Sequence, residues 1–130
     1  MGDRVRLVQA DGVALPAEMV PPGGFNVLAT NPPYISEQQW PTLPPNVRDH
    51  EPRIALVPPG GDGLGMYRHL ADEAQSVLAD GGLLLAEIGY DQHASVRQIF
   101  QDAGRWEYIK AHRNCSDPHD RVVEFRLRKK

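Results

Sequence analysis

Cysteine is nearly absent: Cys115 is the single thiol in 130 residues. One thiol excludes an intramolecular disulfide and a multi-thiolate metal site, and it suits the reducing cytoplasm. Long apolar runs are missing as well. None exceeds four residues, as in Leu83–Ala86, far below the ~20 that a membrane-spanning helix needs. Met1–Arg6 has no signal-peptide core, and Arg6 breaks the myristoylation pattern. Positive charge is also short. Fourteen Lys and Arg against seventeen Asp and Glu leave a net charge of −3, which argues against a broad basic face for nucleic acid. Proline and glycine are abundant, with twelve of each, and eleven of the prolines fall within Pro16–Pro59. A 41% hydrophobic and 24% charged composition at this length reads as one folded domain, residues 1–130.

Along the chain, Arg4–Gln9 reads as a short strand ended by Asp11-Gly12. A Pro/Gly-punctuated loop with one helical turn follows. Phe25–Thr30 is a nearly continuous apolar run between Gly23-Gly24 and Asn31-Pro32, the pattern of a strand buried on both faces. Residues 35–60 are proline-rich and aperiodic, and a loop of that length in a compact domain serves a function. Asp62 stands as N-cap of a helix whose apolar positions run from Leu64 through Tyr67, Leu70, Ala71, Ala74 and Val77 to Leu78. Leu83–Ile88 is a second buried strand, closed by Gly89. Val96, Ile99, Phe100 and Ala103 mark a second amphipathic helix, stopped by Gly104. Trp106–His112 and Val122–Leu127 read as a closing strand pair joined by the polar loop Arg113–Asp120. Strands alternating with helices predict an α/β fold, its sheet mostly parallel with an antiparallel last strand.

Asn31-Pro32-Pro33-Tyr34 directly follows the strand Phe25–Thr30. Ligands of open α/β sheets bind beyond the carboxyl ends of strands, so the place is right for a site. Asn31 offers a side-chain carbonyl oxygen as acceptor. The Pro32 carbonyl, held between two rigid prolines, cannot be spent in ladder pairing. Tyr34 offers an aromatic face. The set forms a socket for a planar –NH₂: two acceptors for its two hydrogens and a ring beside it. A nitrogen attacking an electrophilic carbon gains positive charge and becomes tetrahedral, and fixed acceptors stabilise that change more than the flat ground state.

The strand with Asn31-Pro-Pro-Tyr34 resembles motif IV of the S-adenosylmethionine-dependent amino-methyltransferases. Further segments narrow the likeness: Val47-Arg-Asp-His-Glu-Pro-Arg-Ile-Ala-Leu56, Gly61-Asp-Gly-Leu64 with Tyr67-Arg68, Gly82-Leu-Leu-Leu-Ala-Glu-Ile-Gly89 and Asp120-Arg-Val-Val123. In this order they resemble the HemK/PrmC family, which methylates the side-chain nitrogen of the glutamine in the Gly-Gly-Gln loop of peptide-chain release factors. The resemblance implies an incomplete Rossmann-like methyltransferase fold. It implies that Asn31, Pro32, Pro33 and Tyr34 grip the substrate amide, with Asn31, Pro32 and Tyr34 catalytic and Asn31 also near the methyl donor. Asp11 would meet the adenine amine of S-adenosylmethionine, with Gly12 beside the ring. Glu51, in the long loop, would line the path to the release factor, and Glu87, at a strand end, would lie near the same site.

Family members carry a glycine-rich cofactor loop and a ribose-binding acidic residue on strands that precede the counterpart of Arg4–Gln9. The chain therefore looks like the C-terminal portion of a catalytic domain, without that loop or the N-terminal helical domain, and weak or absent binding of S-adenosylmethionine is expected of it alone. Gly60–Gly65 is no replacement, because Pro58-Pro59 rather than a strand precedes it. Without its sheet neighbours, strand Phe25–Thr30 becomes an apolar edge that pairs either with Arg4–Gln9 or with a second copy of the chain. Two other functions use the same residues: a nucleic-acid adenine N6-methyltransferase, whose target amine is also planar, and a catalytically inactive binding module. The net charge and the Arg48–Leu56 block favour the glutamine enzyme.

Other clusters read as ordinary surface. Cys115, Asp117, His119 and Asp120 share one loop, a solvated hairpin rather than a metal site. His50 and Glu51 are adjacent loop residues. Arg126, Arg128, Lys129 and Lys130 form a basic, solvated end.

Overall fold

The computed structural model describes residues 4–113 and 116–130. Its centre is a four-stranded sheet in the order β1-β2-β4-β3. The strands are β1 (Phe25–Thr30), β2 (Leu78–Glu87), β3 (Trp106–Arg113) and β4 (Asp120–Leu127). β1 pairs parallel with β2, and β4 pairs antiparallel with both β2 and β3. Three strands therefore point one way and the last strand alone points back, as the alternation of strands and helices predicts.

Each connection follows from the local sequence. The proline-rich stretch after β1 forms only short turns and a four-residue helix, α1 (Pro45–Arg48). Then α2 (Gly65–Glu73) carries the chain back to β2. α3 (His93–Ala103) lies between β2 and β3 and ends at Gly104, whose φ of 79° an L side chain rarely adopts. β3 and β4 form the closing hairpin.

The core lies on one face of the sheet. Leu84 and Ala86 of β2 and Val123, Phe125 and Leu127 of β4 meet Tyr67, Leu70 and Ala71 of α2 and Val96 and Phe100 of α3. Phe100 stacks on Phe125 with ring centres 4.2 Å apart, and Trp106 stands edge-on to Phe100 at 5.1 Å. The Trp106 indole N–H donates to the Ala71 carbonyl at 2.9 Å, which satisfies its one polar group.

Several expectations change. Arg4–Gln9 is not a strand: it is exposed irregular backbone, and no strand of the sheet offers it a ladder. β1 is therefore an edge strand with Val27 54% exposed, rather than a strand buried on both faces. β2 is buried on one face only, with Leu83, Leu85 and Glu87 half-buried on the other. The first long helix ends at Glu73, and Leu78 already belongs to β2, where it pairs with Phe25. Apolar spacing ran on because Val77 and Leu78 reach the same core from a turn and a strand. Asp62 does not cap α2 directly; its Oδ1 accepts the Leu64 N–H at 3.0 Å, one step before the helix, and its carboxylate pairs with Arg68.

Candidate functional site

The carboxyl ends of β1 and β2 and the start of β4 lie side by side, because Thr30 pairs with Ala86 and Glu87 pairs with Val122. Asn31-Pro32-Pro33-Tyr34 leaves β1 at this end. Pro32 is buried, Pro33 and Tyr34 are half-buried and Asn31 is exposed.

Tyr34 is tied at both ends. Its phenol donates to Glu87 Oε1 at 3.3 Å and accepts from Arg121 Nη2 at 3.4 Å. Its carbonyl accepts from Gln92 Nε2 at 3.0 Å, while Gln92 Oε1 accepts the Gly89 N–H at 2.7 Å. Gln92 is 9% exposed and sits just before α3. One buried amide thus clasps the end of β2 to the loop after β1. The approach is close on the far side too. A Cβ at Gly63 would lie 2.6 Å from the Tyr34 carbonyl oxygen, and Gly63 has φ of +79°. Ile35 continues the anchoring, its N–H bonded to the Leu56 carbonyl at 2.8 Å.

The surroundings keep both phenols protonated at neutral pH. Burial pushes Tyr34 up, and the Glu87 carboxyl beside it adds to the rise, partly offset by Arg121. Burial also drives Tyr67 well above the usual tyrosine range, so its O–H remains a donor, here to the Glu87 carbonyl at 2.6 Å. The strand end that carries Glu87 is therefore held by one tyrosine through its backbone and by another through its side chain.

Amid this anchoring two acceptors stay open. No hydrogen bond within the described residues engages the Asn31 side chain or the Pro32 carbonyl. Both residues border a groove of about 490 Å³ that runs along β1 and is lined also by Gly12, Leu28, Met66 and Leu70, among others. Its walls are largely apolar side chains, and the Gly12 backbone, with φ of +59°, forms one side without a Cβ. Such a groove fits a flat ring with a polar end.

The residues expected at the site fall into two groups. Asn31, Pro32, Pro33, Tyr34 and Glu87 come together, and Gly12 lines the adjoining groove. Asp11 is exposed in the turn before it, where its carbonyl accepts the Ala14 N–H at 3.0 Å. Glu51 is exposed in the long loop, its N–H bonded to the Val47 carbonyl at 3.1 Å. In the same loop Arg53 pairs with Glu37 and lies over the Trp40 ring, 5.2 Å from its centre. Gln92 and Arg121 were missed as partners of Tyr34. Arg121 stands within Asp120–Val123, a segment the sequence marks, but its contact with Tyr34 spans the fold and leaves no local signal. Cys115 lies outside the described residues. Among the described residues no group of three His, Cys, Asp or Glu could hold a metal ion, and no helix is long and apolar enough to cross a membrane.

A parallel β1–β2 unit with its polar loop past the strand ends, closed by an antiparallel last strand, defines part of a Rossmann-like methyltransferase fold. Known proteins agree. The release factor glutamine methyltransferase of Caulobacter vibrioides is 48% identical over 99 residues, 76% of this chain and 33% of that protein. That of Chlorobaculum tepidum is 40% identical over the same shares. A Streptomyces pristinaespiralis protein named 4-amino-L-phenylalanine/4-methylamino-L-phenylalanine methyltransferase is 39% identical over 116 residues, 89% of this chain and 38% of that protein. No family model matches the chain. The chain spans about a third of the length of the curated relatives it matches. Over that part it is similar to the release factor glutamine methyltransferases, the HemK/PrmC family.

Proposed function

We propose that these residues form the substrate side of a methyltransferase acting on the side-chain amide of glutamine in the Gly-Gly-Gln loop of a peptide-chain release factor. Residues 1–130 would be the C-terminal portion of its catalytic domain. The observation that carries the reading is the pair of open acceptors, Asn31 Oδ1 and the Pro32 carbonyl, in a segment otherwise pinned by Gln92, Glu87 and Arg121.

The chemistry follows from that arrangement. Asn31 and Pro32 accept the two amide hydrogens and aim the nitrogen. Tyr34, kept neutral, lays its ring beside the flat amide. The groove lined by Gly12, Asn31 and Met66 is suited to the adenine ring of S-adenosylmethionine, and Asp11 precedes Gly12 in the chain. When bound there, that cofactor would supply an electrophilic methyl carbon, whose bond to the sulfonium sulfur breaks as the bond to nitrogen forms and leaves S-adenosylhomocysteine. As the nitrogen is alkylated it becomes tetrahedral and positive, its hydrogens grow more acidic, and the two acceptors hold them more strongly. The extra proton then leaves to solvent, so no side chain needs to remove it before attack. Because the acceptors tighten only as charge develops, they act on kcat rather than on KM alone.

A second reading comes from the Streptomyces relative, whose name specifies an aromatic amine. An aniline –NH₂ suits the same two acceptors, and Tyr34 could stack on its ring. Mass spectrometry separates the two. The full-length enzyme of which residues 1–130 would be the C-terminal portion, incubated with S-adenosylmethionine, release factor and 4-amino-L-phenylalanine together, should add one methyl group to the Gly-Gly-Gln glutamine. Methylation of the aromatic amine with the release factor unmodified would replace the first reading by the second.

A further inference from the structure

A concavity of about 380 Å³ opens where β3 begins and β4 ends, at the opposite end of the sheet from Asn31–Tyr34. Three arginines line it: Arg97 from α3, Arg105 from the turn into β3, and Arg128 just past β4. Gln101 adds a neutral polar group, and Glu107 is the one carboxylate on its wall. The Arg97 guanidinium lies 3.8 Å from the centre of the Tyr108 ring. A planar cation held flat on an aromatic face keeps its N–H edges directed outward.

Arg105 is fixed more tightly. Its Nη2 donates to Asp80 Oδ1 and to the Arg128 carbonyl, both at 2.9 Å, and its own carbonyl accepts the Arg128 N–H at 2.7 Å. Its Nε is buried without a partner, and its φ is +66°. An unmade buried hydrogen bond and a left-handed backbone at a residue other than glycine both cost free energy, and such costs collect where a side chain must be held in place. Charge gathers here against the trend of the chain. The protein is net −3, yet Arg126, Lys129 and Lys130 flank the same end of β4.

We propose that this concavity is a phosphate-binding site, distinct from the candidate methylation site and independent of it. Three guanidinium groups stand against the carboxylates of Glu107 and of Asp80, the latter already paired with Arg105, which leaves positive charge for an oxyanion, and the planar fork of Arg97 or Arg128 pairs with phosphate oxygens two at a time. The phosphate could belong to a small free anion or to a nucleic-acid backbone.

Titration of the ¹⁵N-labelled chain by NMR at low salt, once with inorganic pyrophosphate and once with a uridine dodecamer, tests the proposal and its source. The expected result is saturable shifts centred on Arg97, Gln101, Gly104, Arg105 and Arg128. The exposed double change Arg97→Gln/Arg128→Gln should weaken binding at least about tenfold. Changing Lys129→Gln and Lys130→Gln together should weaken it less than about threefold. Equal affinity for both probes assigns a free phosphate. An oligonucleotide bound about tenfold tighter, with affinity falling steeply in salt, assigns a backbone. The proposal is overturned if neither probe saturates, if the lysine changes cost as much as the arginine changes, or if the arginine changes leave affinity intact. Arg97→Gln alone should still lower affinity, so a double variant that unfolds does not shield the idea.

Discussion

Replacing Gln92 by leucine should be among the most costly single changes near the site. The side chain keeps a similar volume, so packing changes little and the polar loss dominates. Two short hydrogen bonds disappear: the 2.7 Å bond from the Gly89 N–H and the 3.0 Å bond to the Tyr34 carbonyl. The 3.5 Å contact with the Gly63 carbonyl is too long to count. A buried donor or acceptor left unsatisfied costs ~1–3 kcal/mol. Gly89 is buried and loses its partner outright, whereas Tyr34 is half-buried and water can reach part of its backbone. The sum is ~2–4 kcal/mol, a large share of the ~6–15 kcal/mol stability usual for a domain of this size. Urea unfolding followed by circular dichroism should show a lower midpoint with an unchanged slope. Hydrogen exchange should show faster loss of the Gly89 amide. A destabilisation below ~0.5 kcal/mol, or an unchanged Gly89 exchange rate, would refute the role of Gln92 as the clasp between β2 and the Asn31–Tyr34 loop.

Phe100→Ala should cost ~3–5 kcal/mol in the same assay, since it removes a fully buried ring stacked on Phe125 and edged by Trp106; a loss under ~1 kcal/mol would contradict the central place given to that cluster. The Asp117 carboxyl lies below its ordinary value, held there first by the His119 backbone N–H and then by its ring. A depressed folded value means the turn is stabilised above the ordinary carboxylate range of about pH 4 and loses that support as pH falls through the folded value. The Asp117 carboxyl carbon resonance should show its main transition below the ordinary carboxylate range, and a main transition at or above about pH 4 would contradict the assignment. The outer edge of β1 should recruit a second chain, so sedimentation at about tens of micromolar should show a dimer that Val27→Lys returns to monomer. A wild-type monomer under those conditions would reject that contact.

The strands and helices were legible wherever hydrophobic period and breakers agreed. Phe25–Thr30 carried both signals, as did α3 with Gly104 behind it. Arg4–Gln9 misled because alternating Val and Leu describe a residue's preference, while a strand also needs a neighbour to bond. Apolar spacing overextends the helix because Val77 and Leu78 are buried like the helical residues before them. At the site, Asn31–Tyr34 announced itself as a local chemical pattern directly after a strand. Glu87 was flagged by its polarity within an apolar run, and its partner Tyr34 lies 53 positions away. Gln92 and Arg121 gave no such signal. Their importance comes from distances across the fold, 58 and 87 positions from Tyr34, and nothing local marks a glutamine as a clasp.

The central claim is that Asn31 and the Pro32 carbonyl hold an –NH₂ while it is methylated, and the most direct measurement is kcat/KM for release-factor methylation by an Asn31→Ala variant of the full-length enzyme of which residues 1–130 are proposed to be the C-terminal portion. Asn31 is exposed, so the substitution should leave the melting temperature nearly unchanged. Losing one preorganised acceptor at a developing positive charge should cost ~3–4 kcal/mol, a fall of about 10²–10³ carried mainly by kcat. A kcat/KM within about threefold of the unsubstituted enzyme, with the fold intact, would contradict the account.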